Sequence, residues 1–510
     1  MTKSNITSPS DSTHNSRQIN SVNSMQNIGG KMAKGAAWMV AFKLLEKSIC
    51  LVSTFVLARL LIPADFGLVS IANAFLALLL LLTSFNFDVA LIQNQNATRK
   101  LYDTAWTFNV LFGLMLAVIL TVSAPILTDY YNEDRLEKIL YILATGTFLS
   151  GFSNIGPVAF RKDLQFHKEF YFLLTKKIIA FTVCMSLAFT LRNYWALVIG
   201  TLAGQVMEIL LSYLVHPYRP RFCVSERKDL FGVSIWLFLN NMIFFIYQRI
   251  PDFIISKFFG SHSLGVYNIA YEISNLPTTE LVAPINRAVL PGYSKLAGDL
   301  DQLRKSFIGV LSMIILCAAP AGAGIAVISD SLVMVFLGDK WLETIDIIRI
   351  LAVSGAITAV QTNFNYVYIA IGKPRFITII AFLHVAVIFI PTMLYLINIH
   401  GLIGFAEAYL VSNLIILPVN YLLTFRVLKL GILPMLSIVW RPLLSCAVMV
   451  TAILSFTEKA AEFDLTNHVA LLACQVGIGG AVYALFILFF WILCRKPDGA
   501  EKFIVGKIFK

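Results

Sequence analysis

Apolar segments of roughly 20 residues, the length of one bilayer crossing, follow one another along almost the whole chain. Because 58% of the 510 residues are hydrophobic and only 14% are charged, no water-soluble core could bury these segments. The sequence therefore predicts an all-α integral membrane protein with about 14 transmembrane helices and no room for a separate soluble catalytic domain. The segments lie near residues 36–58, 66–87, 104–127, 139–160, 170–190, 194–215, 231–255, 264–290, 307–328, 347–371, 376–397, 403–424, 434–455 and 468–494.

The distribution of lysine and arginine tests this number independently of hydropathy. If the N-terminus is cytoplasmic, the connecting segments on that side hold 25 Lys and Arg residues and those on the opposite side hold 7. Cytoplasmic loops carry such an excess, and one missed helix would invert every later loop. The bias therefore predicts that both termini are cytoplasmic. It also attributes the net charge of +11 to contact with anionic membrane lipids, so nucleic acid is not an expected partner.

The chain also contains an internal repeat. A shift of 198 residues lays the first two segments on the seventh and eighth. Copies separated by six helices enter the membrane from the same side, and two-lobed proteins of this kind work by alternating access around a substrate held between the lobes. The matching pairs are Trp38 with Trp236, Arg59 with Lys257, Gly67 with Gly265, Ile71 with Ile269, Ala72 with Ala270 and Ala90 with Ala288.

The repeat predicts four regions. A tail over residues 1–30, rich in Ser, Asn and Thr and without the apolar core of a signal peptide, is expected to be disordered and cytoplasmic. An N-terminal lobe over residues 31–228 and a C-terminal lobe over residues 229–430 are expected to hold six helices each. Two extra helices and a cytoplasmic tail are expected over residues 431–510.

Five stretches of the chain resemble a known family. As a set they resemble the bacterial polysaccharide transporters of the multidrug/oligosaccharidyl-lipid/polysaccharide exporter superfamily, and above all Wzx-type flippases of the colanic-acid and exopolysaccharide kind. The resemblance covers nearly all of the chain after residue 30, and none of the motifs identifies the glycan. The stretches are GAAWMVAFKLLEKSICLVSTFVLARLLIPADFGLVSIANAF near the start, FRKDLQFHKEF at 160–170, LGVYNIAYEISNLP at 264–277, INRAVLPGYSKLAGDLDQLRKSF at 285–307 and FLGDKW at 336–341.

The resemblance implies a fold of two six-helix lobes plus two C-terminal helices in the bacterial cytoplasmic (inner) membrane. It implies a flippase that moves an undecaprenyl-pyrophosphate-linked oligosaccharide from the inner to the outer leaflet, for exopolysaccharide, lipopolysaccharide or capsule biosynthesis. The substrate would be a lipid-linked oligosaccharide, no cofactor would be needed, and a polysaccharide polymerase and chain-length proteins would be partners.

Ionisable residues inside the predicted helices are the candidate functional residues, because a charge at mid-bilayer costs about 2.5–3.5 kcal/mol on insertion scales. Lys43, Glu46 and Lys47 lie near the centre of the first helix and share one face at i, i+3 and i+4. This net-cationic trio suits a pyrophosphate headgroup, since lysine binds phosphate as a point charge. The alternative is a self-neutralising Lys–Glu cluster that only orients the helix.

Further candidates lie on the other helices. Arg249 and Asp252 flank Pro251 in the seventh helix, which fits either a gate or a structural kink. Lys176 and Lys177 could line the substrate cavity or extend their ammonium groups to the cytoplasmic surface. Arg287 is a further candidate for substrate binding, and Asp88 and Glu272 are candidates for ion coupling or gating. Glu208, His384 and Glu407 are predicted to be solitary, each a packing or interface residue.

Other functions have weaker signatures. A cation-coupled multidrug exporter or a peptidoglycan-precursor flippase belongs to the same superfamily, but the basic face of the first helix argues against a cationic drug. The chain has no GxxxxGK[ST] motif and hence no P-loop. Asp299-Leu300-Asp301 matches the DxD pattern of nucleotide-sugar enzymes but is interpreted as the start of a helix. A membrane glycosyltransferase or polymerase is disfavoured because the predicted extracytoplasmic loops are short.

Overall fold

The computed structural model describes residues 38–39, 41–83, 87–93, 97–163, 165–276, 282–373, 375–462, 467–495 and 500–501. The predicted tail over residues 1–30 lies outside them, as do the side chains at 227–244 and 246–248 and that of Arg287. The helices are α1 (residues 41–60), α2 (Pro63–Leu82), α3 (Phe87–Gln93), α4 (Arg99–Tyr131), α5 (Arg135–Gly151), α6 (Val158–Lys162), α7 (Phe166–Leu191), α8 (Trp195–Val215), α9 (Arg227–Ser274), α10 (Ala283–Leu296), α11 (Leu300–Val327), α12 (Ser329–Leu332), α13 (Thr344–Ala370), α14 (Arg375–Phe382), α15 (Ile390–Leu428), α16 (Ile432–Glu462) and α17 (His468–Leu493).

The predicted all-α membrane fold is confirmed. Within the described ranges, nine helical stretches are long and apolar enough to cross a membrane, judged by length and composition alone. One of these stretches, Arg375–Leu428, contains a break at Gly401 (φ 58°, ψ −131°). The long helix α9 contains a similar break at Gly260 (φ 80°, ψ 178°). Glycine permits these backbone conformations because it has no Cβ. Both breaks fall between apolar segments that are separate in the sequence prediction. The number of fourteen transmembrane helices itself stays a prediction.

Outward faces of the helices are apolar, as lipid contact requires. On α4, Val118, Val122 and Ile126 are spaced four residues apart and are 53%, 64% and 66% exposed. The opposite face of the same helix buries Leu116, Leu120 and other residues. Because residues i and i+4 share a helix face, this pattern gives α4 one side for protein and one side for lipid chains.

The described residues form two compact units. The first contains the described residues up to Leu61 together with Leu68–Phe253, and the second contains Ile62–Gly67 together with the described residues from Ile254 onward. In the first unit, α4 packs on α5 and α7 packs on α8. In the second, helices α10, α11, α13, α15 and α16 enclose a core that includes Phe307, Phe364 and Tyr368.

Two glycines of the repeat meet within the second unit. A Cβ atom added to Gly67 would lie 1.6 Å from the carbonyl oxygen of Ser261, and one added to Gly265 would lie 1.9 Å from the carbonyl oxygen of Pro63. Pro63 and Ser261 are themselves related by the shift of 198 residues, so the contact is reciprocal. Small residues four apart allow helix backbones to approach this closely in membranes.

Candidate functional site

The basic face of α1, formed by Lys43, Glu46 and Lys47, lies on the first unit. Trp38 and Phe42 anchor this end of α1 against Phe170 of α7, with ring centroids 4.8 Å and 6.4 Å apart. One turn further along, Lys43 Nζ donates to Glu46 Oε2 at 2.7 Å, and the Lys43 side chain is 54% exposed.

Two lysines and one glutamate make up this surface, and Lys43 pairs with Glu46. Lys47 is half-buried and has an interaction of its own. Because the pair of Lys43 and Glu46 is only partly shielded from solvent, an anionic ligand can compete with Glu46 for the Lys43 ammonium.

A cavity of about 240 Å³ lies inside the first unit, and we call it the acidic cavity. The carboxylates of Asp88, Glu169 and Glu208 and the guanidinium of Arg161 line it. Arg161 Nε donates to Glu169 Oε1, and Arg161 Nη1 lies 3.9 Å from Asp88 Oδ2. One guanidinium therefore serves two carboxylates. Glu169 is only 4% exposed, and its second oxygen, Oε2, has no hydrogen-bond partner.

Lys176 forms an ion pair with Glu208 instead of extending to the membrane surface. Its Nζ donates to Glu208 Oε2 on the neighbouring helix α8. The sequence prediction that Glu208 is solitary is therefore wrong, because its partner lies 32 residues away along the chain. Lys177, the next residue, is half-buried. The pair of Lys176 and Glu208 adds a neutralised carboxylate to the wall of the acidic cavity.

Arg249 and Asp252 form the ion pair that their spacing suggests. Arg249 Nη1 donates to Asp252 Oδ2 at 2.8 Å, and the Asp252 side chain is buried while that of Arg249 is 40% exposed. Pro251 lies inside the helix at this point, so the pair spans the position where a backbone hydrogen bond is missing. The arrangement fits both a gate and a structural kink.

The second unit carries its polar groups differently. Glu272 on α9 is half-buried and has a partner. Neutral amides line the contact of α13 with α15: Asn420 donates to Gln361 at 3.0 Å, and Gln361 donates to Asn413 at 3.2 Å. Asn413 in turn donates to Ser354 at 3.0 Å. Hydrogen bonds between these uncharged side chains fix the register of the two helices without a charge.

Besides Glu169, the buried charged residues that the sequence reasoning missed include Arg441, Glu501 and Asp103. Arg441 on α16 is 2% exposed and lies 3.2 Å from Glu501, which is 4% exposed. Arg441 is the single charged residue of an apolar segment, and this pattern could have identified it as a candidate residue. Asp103 on α4 is also buried and accepts from the Tyr218 hydroxyl and the Arg221 backbone N–H. These two hydrogen bonds hold the segment that follows α8 against α4.

The interpretation of Asp299 as a helix start is confirmed. Its Oδ1 accepts hydrogen bonds from the backbone N–H groups of Asp301 and Gln302 at 3.0 Å and 3.1 Å, which is an N-cap of α11. Asp301 pairs with Arg304 at 2.7 Å. Both carboxylates of the DxD pattern therefore have structural partners.

The long apolar helices define a multi-pass membrane protein. A family model described as "Polysaccharide biosynthesis protein" matches residues 56–346, more than half of the chain. The chain belongs to this family. The resemblance found in the sequence is thereby confirmed.

Three relatives carry related names. The chain is 24% identical over 415 residues to "Teichuronic acid biosynthesis protein TuaB" of Bacillus subtilis, covering 79% of this chain and 83% of the relative. It is 23% identical to "Lipopolysaccharide biosynthesis protein WzxC" of Escherichia coli, covering 65% and 68%. It is 20% identical to "Succinoglycan biosynthesis transport protein ExoT" of Rhizobium meliloti, covering 90% and 92%.

Solved structures share the fold. A lipid II flippase MurJ in an inward closed conformation aligns with a TM-score of 0.68 at 16% identity, covering 88% of this chain and 99% of that one. An inward-facing multidrug resistance MATE family transporter aligns with a TM-score of 0.60 at 15% identity, covering 75% and 95%. At these identities the likeness is one of fold.

Proposed function

We propose that the protein is a flippase for an undecaprenyl-pyrophosphate-linked oligosaccharide. In this proposal it carries repeat units across the bacterial cytoplasmic membrane for exopolysaccharide, lipopolysaccharide or capsule biosynthesis. The observation that carries the proposal is a net-cationic, partly exposed helix face in a member of a polysaccharide biosynthesis family. Lysine ammonium groups bind phosphate as point charges, so Lys43 and Lys47 are the proposed pyrophosphate contacts.

The other candidates have subordinate roles in this proposal. Lys177 and Arg287 would add positive charge along the substrate path, whereas Lys176 is already neutralised by Glu208. Arg249 with Asp252 would act as a gate beside Pro251 of α9. Glu272 is retained as a gating residue of the second unit. A polysaccharide polymerase and chain-length proteins are the proposed downstream partners, since a repeat unit must be polymerised after it has crossed.

Short connections support transport over glycan synthesis. Helices α4 and α5 are separated by residues 132–134, and α7 and α8 by residues 192–194. In the proposed topology both connections face the outside, and neither is long enough to build a catalytic site. A glycosyltransferase or polymerase is therefore the weaker candidate. The peptidoglycan-precursor flippase remains the alternative on fold, since the proposed headgroup carries the same pyrophosphate.

Deletion of the gene separates these two substrates. In a strain that makes a surface polysaccharide, loss of the protein is expected to trap the lipid-linked repeat unit of that polysaccharide in the cytoplasmic leaflet. Growth and peptidoglycan labelling should be unchanged. Accumulation of the peptidoglycan precursor, with normal surface polysaccharide, would contradict the proposal and favour the alternative.

The proposed topology places residue 340 outside the cell and residue 300 in the cytoplasm. After the seven native cysteines have been replaced, a Lys340→Cys variant should react with a membrane-impermeant maleimide in intact cells, because Lys340 is exposed. A Leu300→Cys variant should react only after permeabilisation. The reverse pattern would show that the predicted orientation is wrong.

A further inference from the structure

Among the residues that the structure describes, the charged groups at the acidic cavity include one more negative than positive group. The charged groups that face it come from α3 (Asp88), α6 (Arg161), α7 (Glu169 and Lys176) and α8 (Glu208). Lys176 neutralises Glu208, so Asp88 and Glu169 are left with Arg161 alone. With all five groups ionised the cluster would hold a net charge of −1. A buried uncompensated charge is costly and is normally relieved by binding a cation or a proton.

An orphaned atom marks where the charge is uncompensated. Glu169 is almost fully buried in the wall of the cavity, and its Oε2 has no hydrogen-bond partner among the residues that the structure describes. Burying a carboxylate oxygen without a hydrogen-bond partner is costly, and the cost is larger when the group is charged. A ligand that donates a proton to this atom therefore stabilises the protein.

A proton fits the charged groups of this cavity better than a metal ion does. Throughout the ranges that the structure describes, no three His, Cys, Asp or Glu side chains converge closely enough to hold a metal. The Arg161 guanidinium also occupies the space beside Asp88 and Glu169 that a metal ion would need. Two carboxylates that share one guanidinium can instead share one proton, as coupled acids do.

We propose that Asp88 and Glu169 form a proton-binding site in which one proton taken from water neutralises the acidic cavity. Protonation converts one of the two carboxylates into a carboxylic acid and changes the charge of the cluster from −1 to 0; release of the same proton to water restores it. Coupling of this step to translocation rests on the proposed function. Because the Arg161 guanidinium lies beside both carboxylates, we assign the proton to the pair and not to either residue.

The surroundings of Asp88 favour proton uptake. Asp88 lies on α3, beyond the apolar stretch Pro63–Leu81. Burial among the neighbouring helices raises the pKa of Asp88; Arg161 opposes the rise, and Glu208 and Glu169 add to it. Its side chain is nevertheless 49% exposed, because it borders the open volume of the cavity and can exchange protons with water there.

Infrared titration of the purified full-length protein in lipid nanodiscs tests the binding site without transport. The wild-type protein should show a carboxyl C=O band that appears as the pH is lowered, and Asp88→Asn should lose it. Arg161→Gln should shift the midpoint to higher pH, because two carboxylates without a guanidinium hold a proton more tightly. Such a rise in the titration midpoint cannot come from misfolding of the variant. Glu407→Gln, which removes a carboxylate paired with His400 in the second unit, is the matched control.

Proteoliposomes test the coupling. A pH gradient should accelerate flipping of the lipid-linked oligosaccharide by the wild type and not by Asp88→Asn, and a Na⁺ gradient should have no effect. An unchanged carboxyl band in Asp88→Asn and in Arg161→Gln would overturn the proton site, as would acceleration by Na⁺ alone. A normal titration in a protein that flips nothing would support the site and contradict the proposed function.

Discussion

Replacing Lys43 and Lys47 together by glutamine is expected to abolish glycan export while the protein still inserts at normal levels. Each substitution removes one charge-assisted contact to the pyrophosphate, worth about 1.5–3 kcal/mol. Two such losses correspond to a fall of about 100-fold or more in transport rate, since about 1.4 kcal/mol is a factor of ten. Export is measured as surface polysaccharide per cell, with the protein quantified in the same membranes.

Two control variants separate a lost ligand contact from a loss of charge in general. Lys138→Gln combined with Lys340→Gln removes two exposed lysines, one from the first turn of α5 and one from the segment between α12 and α13, and should leave export unchanged. Lys43→Arg combined with Lys47→Arg keeps both charges and should retain much of the activity. Full export by the double glutamine variant would remove the basic face of α1 from the mechanism.

Gly67→Ala is expected to be among the most destabilising single-methyl changes in the protein. The new Cβ would lie 1.6 Å from a backbone oxygen of Ser261, so no side-chain rotation can relieve the clash and the two helices must separate. Overpacking of this kind typically costs about 1–3 kcal/mol. A clear fall in the unfolding temperature of the detergent-solubilised protein should accompany lower export.

The partner glycine and an unhindered glycine give the comparison. Gly265→Ala should reproduce the loss, because its Cβ would lie 1.9 Å from the oxygen of Pro63. The double variant should lose less than the sum, since both methyl groups separate the same contact. Gly324→Ala, whose Cβ would meet nothing within 4 Å, should be neutral. Equal unfolding temperatures for Gly67→Ala and Gly324→Ala would contradict the close contact.

The fold could be predicted from the sequence because hydropathy and charge act locally. Each apolar segment must form a helix to satisfy its own backbone in lipid, whatever the rest of the chain does. The breaks at Gly260 and Gly401 fall at boundaries between apolar segments, and these boundaries could be predicted because hydropathy acts locally. The helix start at Asp299 was recognisable because an N-cap depends only on the next three residues.

The polar sites could be predicted only in part. The pairs of Lys43 with Glu46 and of Arg249 with Asp252 are three residues apart, so helix geometry alone brings them together. Lys176 and Glu208 meet across two helices, and that contact depends on packing, which hydropathy does not specify.

Other polar groups were overlooked for reasons of charge and position. Glu169 falls in a stretch predicted to lie near the cytoplasmic surface, so its burial could not be foreseen. The amides of Gln361, Asn413 and Asn420 carry no charge and therefore did not stand out among apolar neighbours.

Flipping by the purified protein is the most direct test of the proposed function. The full chain is reconstituted in vesicles with a lipid-linked oligosaccharide repeat unit, and a membrane-impermeant glycosidase reports the fraction of substrate in the outer leaflet. Wild-type protein should make substrate from the inner leaflet accessible much faster than protein-free vesicles do, and the Lys43→Gln/Lys47→Gln variant should not. Equal rates with wild-type protein, with the variant and without protein would contradict the assignment of the chain as a flippase.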